Sequence, residues 1–296
     1  MEMEQHRINN WTNFAWASQK EAMYVPVKLE FDTSTYWLQL DTGCEKTLIY
    51  EVPLRQLTGQ TEFKDKYLML SGKIGNYEFK NERFRIKRNY GWQILSSRKY
   101  NEIGTLGLDF FMDKVLVIDY PNDRLWICNS LNELPEELVQ KTKFTGVRIK
   151  FGKLFLEGLK FGNKPLEGIF FDTGSSRFTL VLLRKRYWQK LTDKKGNEPS
   201  NDYLEVPAWG RKVTLVGAKA KGTLKLGDLE IEDPMIYFQP HLAASGIKHF
   251  LMRIGILIFK VYGIMGNAPF YNKYVILDLQ RNRFGFLESN NTISSN

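Results

Sequence analysis

Two stretches decide how this chain is read: Trp37–Ile49, WLQLDTGCEKTLI, and Gly168–Val181, GIFFDTGSSRFTLV. Each carries an apolar strand into Asp-Thr-Gly, passes through a polar stretch and resumes as a second apolar strand. At average residue usage a given tripeptide occurs roughly once in several thousand positions, so one copy means little. Two copies in the same strand context describe a repeated unit.

The repeat extends outward. GLDFFMDKVLVID (Gly107–Asp119) answers GNAPFYNKYVILD (Gly266–Asp278), with Gly107 opposite Gly266, Phe111 opposite Phe270, Lys114 opposite Lys273 and Asp119 opposite Asp278. Arg124 stands opposite Arg283, and the offset is 159 residues throughout. Between these elements each half holds a strand, a Gly-containing turn and a strand: SGKIGNYEFKNERFRI in the first, KGTLKLGDLEIEDPMIYF in the second. From Asp-Thr-Gly to the glycine-bearing strand the second half is the longer, and the extra residues fall in the Lys-, Gly-, Asn- and Asp-rich region 185–216. Matched periods of this kind indicate duplicated architecture.

Composition agrees with a folded β-rich chain. Of 296 residues, 43% are hydrophobic and 25% charged, which excludes disorder, collagen-like repeats and a small disulfide-stapled fold. Aromatics at 14% favour strands. Short helices are expected near 135–140 and 182–191. The net charge is +9, but the charges are scattered. The densest basic run, Arg184-Lys185-Arg186 with Lys190, reads as the solvated face of a helix, and no nucleic-acid-binding signature or phosphate loop is present. Two cysteines, Cys44 and Cys128, exclude a disulfide framework; one bridge or two thiols both stay open. His6, His241 and His249 are too scattered for a metal site. The N-terminus has no apolar secretory region, so the chain reads as cytoplasmic if Met1 is native and extracytoplasmic if a leader was removed. The longest apolar run, 254–265, is too short to span a bilayer and reads as core strand.

On Leu40-Asp41-Thr42-Gly43 with Thr105-Leu106-Gly107, and Phe171-Asp172-Thr173-Gly174-Ser175-Ser176 with Ile264-Met265-Gly266, the chain resembles a two-lobed aspartic peptidase of the pepsin and retropepsin superfamily. Its short lobes look like a fused pair of retropepsin units, over most of residues 23–288. The resemblance implies an all-β fold of two similar β-barrel lobes about a pseudo-two-fold axis: an N-terminal extension at 1–22, one lobe at 23–141 and one at 142–296. It implies an aspartic endopeptidase acting on an extended peptide or protein substrate, without cofactor or metal. A single chain would carry both halves of the site, so a monomer suffices. The alternative is an inactive peptide-binding or inhibitor-like protein of the same fold.

The chemistry explains the residue types. Two carboxyl groups a few ångströms apart cannot both ionise easily, so one proton is shared and the pair is acid and base at once. Asp41 and Asp172 are the expected catalytic pair. Thr42 and Thr173 are expected to interlock the two loops. Gly43, Gly174, Gly107 and Gly266 are expected to allow close backbone approach, where a Cβ would clash. Cys44 departs from its partner Ser175: a thiol is a weak donor to the neighbouring carboxylate. A covering flap is expected at 57–66 and at 209–217, with Tyr67 and Trp209 as candidates for binding substrate. Asp119 and Asp278 are expected to serve turns or pair with Arg124 and Arg283.

Overall fold

The computed structural model describes residues 10–198, 201–208, 211–240 and 260–289. It is mostly β with a few short helices. Trp209 and the three histidines lie outside the described residues, as does the first half of the apolar run 254–265, of which Gly263–Met265 is a strand.

In the first half, strands Met23–Leu29, Tyr36–Leu40, Glu102–Leu106, Leu48–Tyr50, Tyr77–Lys87 and Tyr67–Ile74 are hydrogen-bonded in that order. Pairing of Lys28 with Lys73 closes them into a six-stranded barrel. Met23–Leu29 alternates inward Met23, Val25, Val27 and Leu29 with more exposed positions, as a strand covering one core does. Most strands of the second half lie in a thirteen-stranded sheet that also takes in the first half's hairpin Val115–Asp119 and Arg124–Cys128, while Lys160–Phe161, Lys164–Pro165, Thr223–Leu226 and Leu229–Glu232 form a separate four-stranded sheet.

The same connections occur twice. Tyr36–Leu40 runs parallel to Glu102–Leu106, which is antiparallel to Leu48–Tyr50. Ile169–Phe171 runs parallel to Gly263–Met265, which is antiparallel to Leu180–Leu182. Each half then ends in a hairpin, Val115–Asp119 with Arg124–Cys128 and Lys273–Asp278 with Arg283–Glu288. The two hairpins join edge to edge, Ile118 opposite Val275 and Val117 opposite Ile276. Every residue of the two joining strands is buried, which accounts for their unbroken apolar runs.

Asp119 and Asp278 are fully buried and satisfied from their own turns: Arg124 Nε donates to Asp119 at 2.6 Å and Arg283 Nη2 to Asp278 at 2.6 Å. The N-terminal segment is tied down, Thr12–Asn13 to Arg124–Leu125 and Ala15–Trp16 to Met23–Tyr24. The expected helices are Glu136–Lys141 and Lys185–Thr192. In the latter, Trp188 is buried and donates to the Ile236 carbonyl at 2.9 Å, while Lys185, Arg186 and Lys190 face solvent. Cys44 and Cys128 are both free thiols. Among the described residues, no helix is long and apolar enough to cross a membrane.

Candidate functional site

Both Asp-Thr-Gly loops follow strands held by a parallel neighbour. The Asp41 amide donates to Leu106 O at 3.0 Å, and the Asp172 amide to Met265 O at 2.9 Å. Gly107 and Gly266 come next on those neighbours. A Cβ on Gly107 would lie 2.5 Å from the Lys46 carbonyl carbon, and one on Gly266 1.9 Å from Ser175 O. Both contacts are with backbone, so no side chain fits at either position.

The loops meet face to face. Thr42 N–H donates to Thr173 Oγ1 at 2.9 Å, and Thr173 N–H to Thr42 Oγ1 at 3.0 Å. Thr173 Oγ1 donates onward to Leu40 O at 3.1 Å and Thr42 Oγ1 to Phe171 O at 3.4 Å. Both threonines are fully buried.

The carboxyl groups of Asp41 and Asp172 come together above this joint. A Cβ on Gly174 would sit 2.8 Å from Asp41 Oδ1 and 3.0 Å from Asp172 Oδ1. Asp172 Oδ1 accepts the amides of Gly174 (2.8 Å) and Gly43 (3.2 Å), and Asp41 Oδ1 accepts that of Cys44 (2.9 Å). Burial, and then the charge of Asp172, hold the Asp41 pKa well above the ordinary carboxylate range; Lys153 and the Cys44 amide oppose this. Such a pair presents one O–H donor beside one acceptor, the complement of a carbonyl, hydroxyl or water.

The Cys44 thiol does not address Asp41. It donates to Lys46 O at 3.1 Å, and burial with the nearby Asp41 charge pushes its pKa up to about 12. The donor at this position is backbone, which corrects the expectation that thiol chemistry weakens support of Asp41.

A cleft of about 800 Å³ opens over the pair. Its first-half wall carries Tyr24, Gln39, Glu102 and the turn 89–92; its second-half wall carries Phe178, Val181, Val206, Val213, Leu215 and Ile264. Ser175 and Gly174 line the floor beside Asp172. Tyr67 is not in this lining: its ring is capped by the Arg83 guanidinium, 3.7 Å from the centroid, on the adjoining strand. Nor does 57–66 line the cleft, where Trp92, 69% exposed, stands at the rim instead. Part of the second expected flap, Val213 and Leu215, does line it.

Two residues near the pair gave no motif-level signal. Lys153, which begins the strand Lys153–Leu156, donates its ammonium to Gly43 O and lies over the Phe170 ring. Asn267 is buried and donates to Thr173 O at 2.9 Å and Ser176 Oγ at 3.3 Å, bracing the second loop from below. Its place opposite Leu108 in the repeat was a sign that the halves differ there. Among the described residues, no group of three or more His, Cys, Asp or Glu side chains is placed to hold a metal.

No family model and no curated protein matches the chain. Among solved structures it is similar to conglutin gamma, a basic 7S globulin from lupine seeds. That likeness has 12% identity and a TM-score of 0.51 and covers 94% of each chain. It is also similar to the basic 7S globulin from soybean, at 11% identity and a TM-score of 0.50, over 94% of this chain and 93% of that one. At these identities the likeness is one of fold alone.

Both neighbours are basic 7S globulins, and this corrects the resemblance drawn from the motifs. The assignment to the pepsin and retropepsin superfamily, and the aspartic endopeptidase activity it implied, are not retained. The physical reason lies in what the motif specifies. Paired Asp-Thr-Gly loops encode a joint, with threonines that interlock and glycines that let backbones touch. That joint holds two β-units together whether or not anything is turned over above it, and function must be argued from the site.

Proposed function

We propose that this protein binds a polypeptide segment in extended conformation in the cleft over Asp41 and Asp172, and holds it without cleaving it. The observation that carries the reading is the cleft itself: about 800 Å³, with buried Asp41 and half-buried Asp172 at its floor, polar and aromatic groups on one wall and mainly apolar side chains, with Arg177 and Gln239, on the other. In this reading the pair engages a main-chain carbonyl of the segment, while strand-like main-chain bonding supplies affinity and the walls supply selectivity. Thr42, Gly43, Cys44, Gly107, Thr173, Gly174, Ser175 and Gly266 build the floor and its two loops.

We take the protein to consist of two similar units, 23–141 and 142–296, about an approximate two-fold axis, with 1–22 as an extension. The twice-repeated strand connection supports this. One chain supplies both halves of the floor, so the reading needs no second copy and no cofactor.

Trp92 at the rim provides the test. Peptides from an unfolded protein should shift or quench tryptophan fluorescence saturably, and Trp92→Phe should remove most of that change. Absence of saturable binding by any extended peptide would overturn the reading.

A further inference from the structure

Glu102 is a carboxylate in the cleft that an apolar segment would leave without a counter-charge. It begins the strand Glu102–Leu106 and lines the first-half wall. Its Oε1 accepts from the Tyr50 hydroxyl at 3.1 Å and its Oε2 from the Tyr24 hydroxyl at 3.3 Å. Both donors are neutral. Among the described residues it has no ion-pair partner; Arg98, whose charge it feels, directs Nη1 to Gln93 O at 3.1 Å.

Its surroundings are aromatic. The Tyr24 ring lies 5.7 Å from Tyr100, and Tyr90 lies edge-on to Tyr50 at 4.7 Å. Burial pushes the Glu102 pKa up, opposed by the two hydroxyls. A carboxylate drawn out of water costs free energy until a cation joins it, and aromatic faces favour cations as well. Across the floor, Phe178, Val181, Leu215 and Ile264 form an apolar patch; Arg177 beside it is paired with Glu21 at 3.6 Å, so neither charge is free to answer Glu102 or a ligand there.

We infer that the cleft selects segments carrying a basic side chain, Lys or Arg, set against Glu102 on one side of the carboxyl pair and an apolar side chain on the other. This rests on the peptide-binding reading. The chain's net charge of +9 works against cationic ligands in general, so any preference for one must be local.

Calorimetric titration with matched peptides tests it. One residue at a time is set to Arg or to uncharged norleucine along an otherwise apolar extended peptide. The wild type should show one position at which Arg binds about tenfold tighter than norleucine. In Glu102→Gln that difference should fall to about twofold or less, with near-ultraviolet circular dichroism confirming the fold. If Glu102→Gln does not fold, Glu102→Asp, which keeps the charge, should retain the preference. Equal affinities at every position in the wild type would overturn the inference while leaving the peptide reading standing. An undiminished preference in folded Glu102→Gln, or none in Glu102→Asp, would also overturn it. Failure of every peptide to bind would overturn both.

Discussion

Thr42 and Thr173 exchange hydrogen bonds across the joint between the two halves, each amide donating to the other's Oγ1, at 2.9 and 3.0 Å. The two bonds are buried and reciprocal, so neither donor has water to turn to if its partner is lost.

Thr42→Val or Thr173→Val should therefore destabilise the protein by about 1–3 kcal/mol, the cost of one unsatisfied buried amide. Thr→Ser at either site keeps the acceptor and should recover most of that loss. Urea unfolding midpoints check both; Val variants as stable as the Ser variants would contradict the interlock.

Gly43→Ala should be more damaging than an exposed Gly→Ala change. Its Cβ would fall 2.3 Å from Asp172 Cγ, inside the carboxyl group itself. Relief requires Asp172 to move off Asp41, so peptide binding should fall together with a stability loss of about 1–3 kcal/mol. Calorimetry and urea titration read the two effects, and intact binding would show that the pair is not needed.

The raised pKa of Asp41 has a definite sign in stability. Its stabilising contribution is complete below the unfolded-state value, about 3.9, and is lost as pH rises through the higher folded-state value. Asp41→Asn abolishes this dependence. The wild type should lose stability relative to Asp41→Asn as pH climbs upward from about 4. Lys153 opposes the shift, so Lys153→Met should carry the loss to higher pH. A pH-independent difference between wild type and Asp41→Asn would contradict the shared-proton pair.

Cys44→Ser should leave the Asp41 titration almost unchanged. The thiol donates to Lys46 O, and the bond to Asp41 comes from the backbone amide, which the substitution keeps. Carboxyl titration followed by nuclear magnetic resonance would show it; a clear downward shift would mean the new hydroxyl reaches Asp41.

Much of the floor was legible because it rests on local sequence. The apolar strands before Asp41 and Asp172, and the glycines at 107 and 266, fix where the backbones must touch. The rim was not legible. The turn 89–92 reaches the cleft because Gly91, at φ 95°, lets the chain pass over Tyr50 and Pro53, where a Cβ would lie 2.7 and 2.8 Å away. Nothing at Gly91 itself announces those neighbours. Lys153 reaches Gly43 from a strand more than a hundred residues on, with no spacing to mark it. Tyr67, a candidate for binding substrate, does not line the cleft; Arg83 of the adjoining strand lies over its ring, a neighbour only the strand pairing reveals. The Asp-Thr-Gly pair describes the joint between the two loops; by itself it does not specify an activity.

The most direct test is mass spectrometry of what the protein holds and what it releases. Extended peptides would be incubated with wild type, Asp41→Asn and Asp172→Asn across acidic to neutral pH. The account predicts that wild type retains intact peptide, that each Asn variant retains about tenfold less, and that no new termini appear. New termini made by wild type and absent with both Asn variants would contradict it.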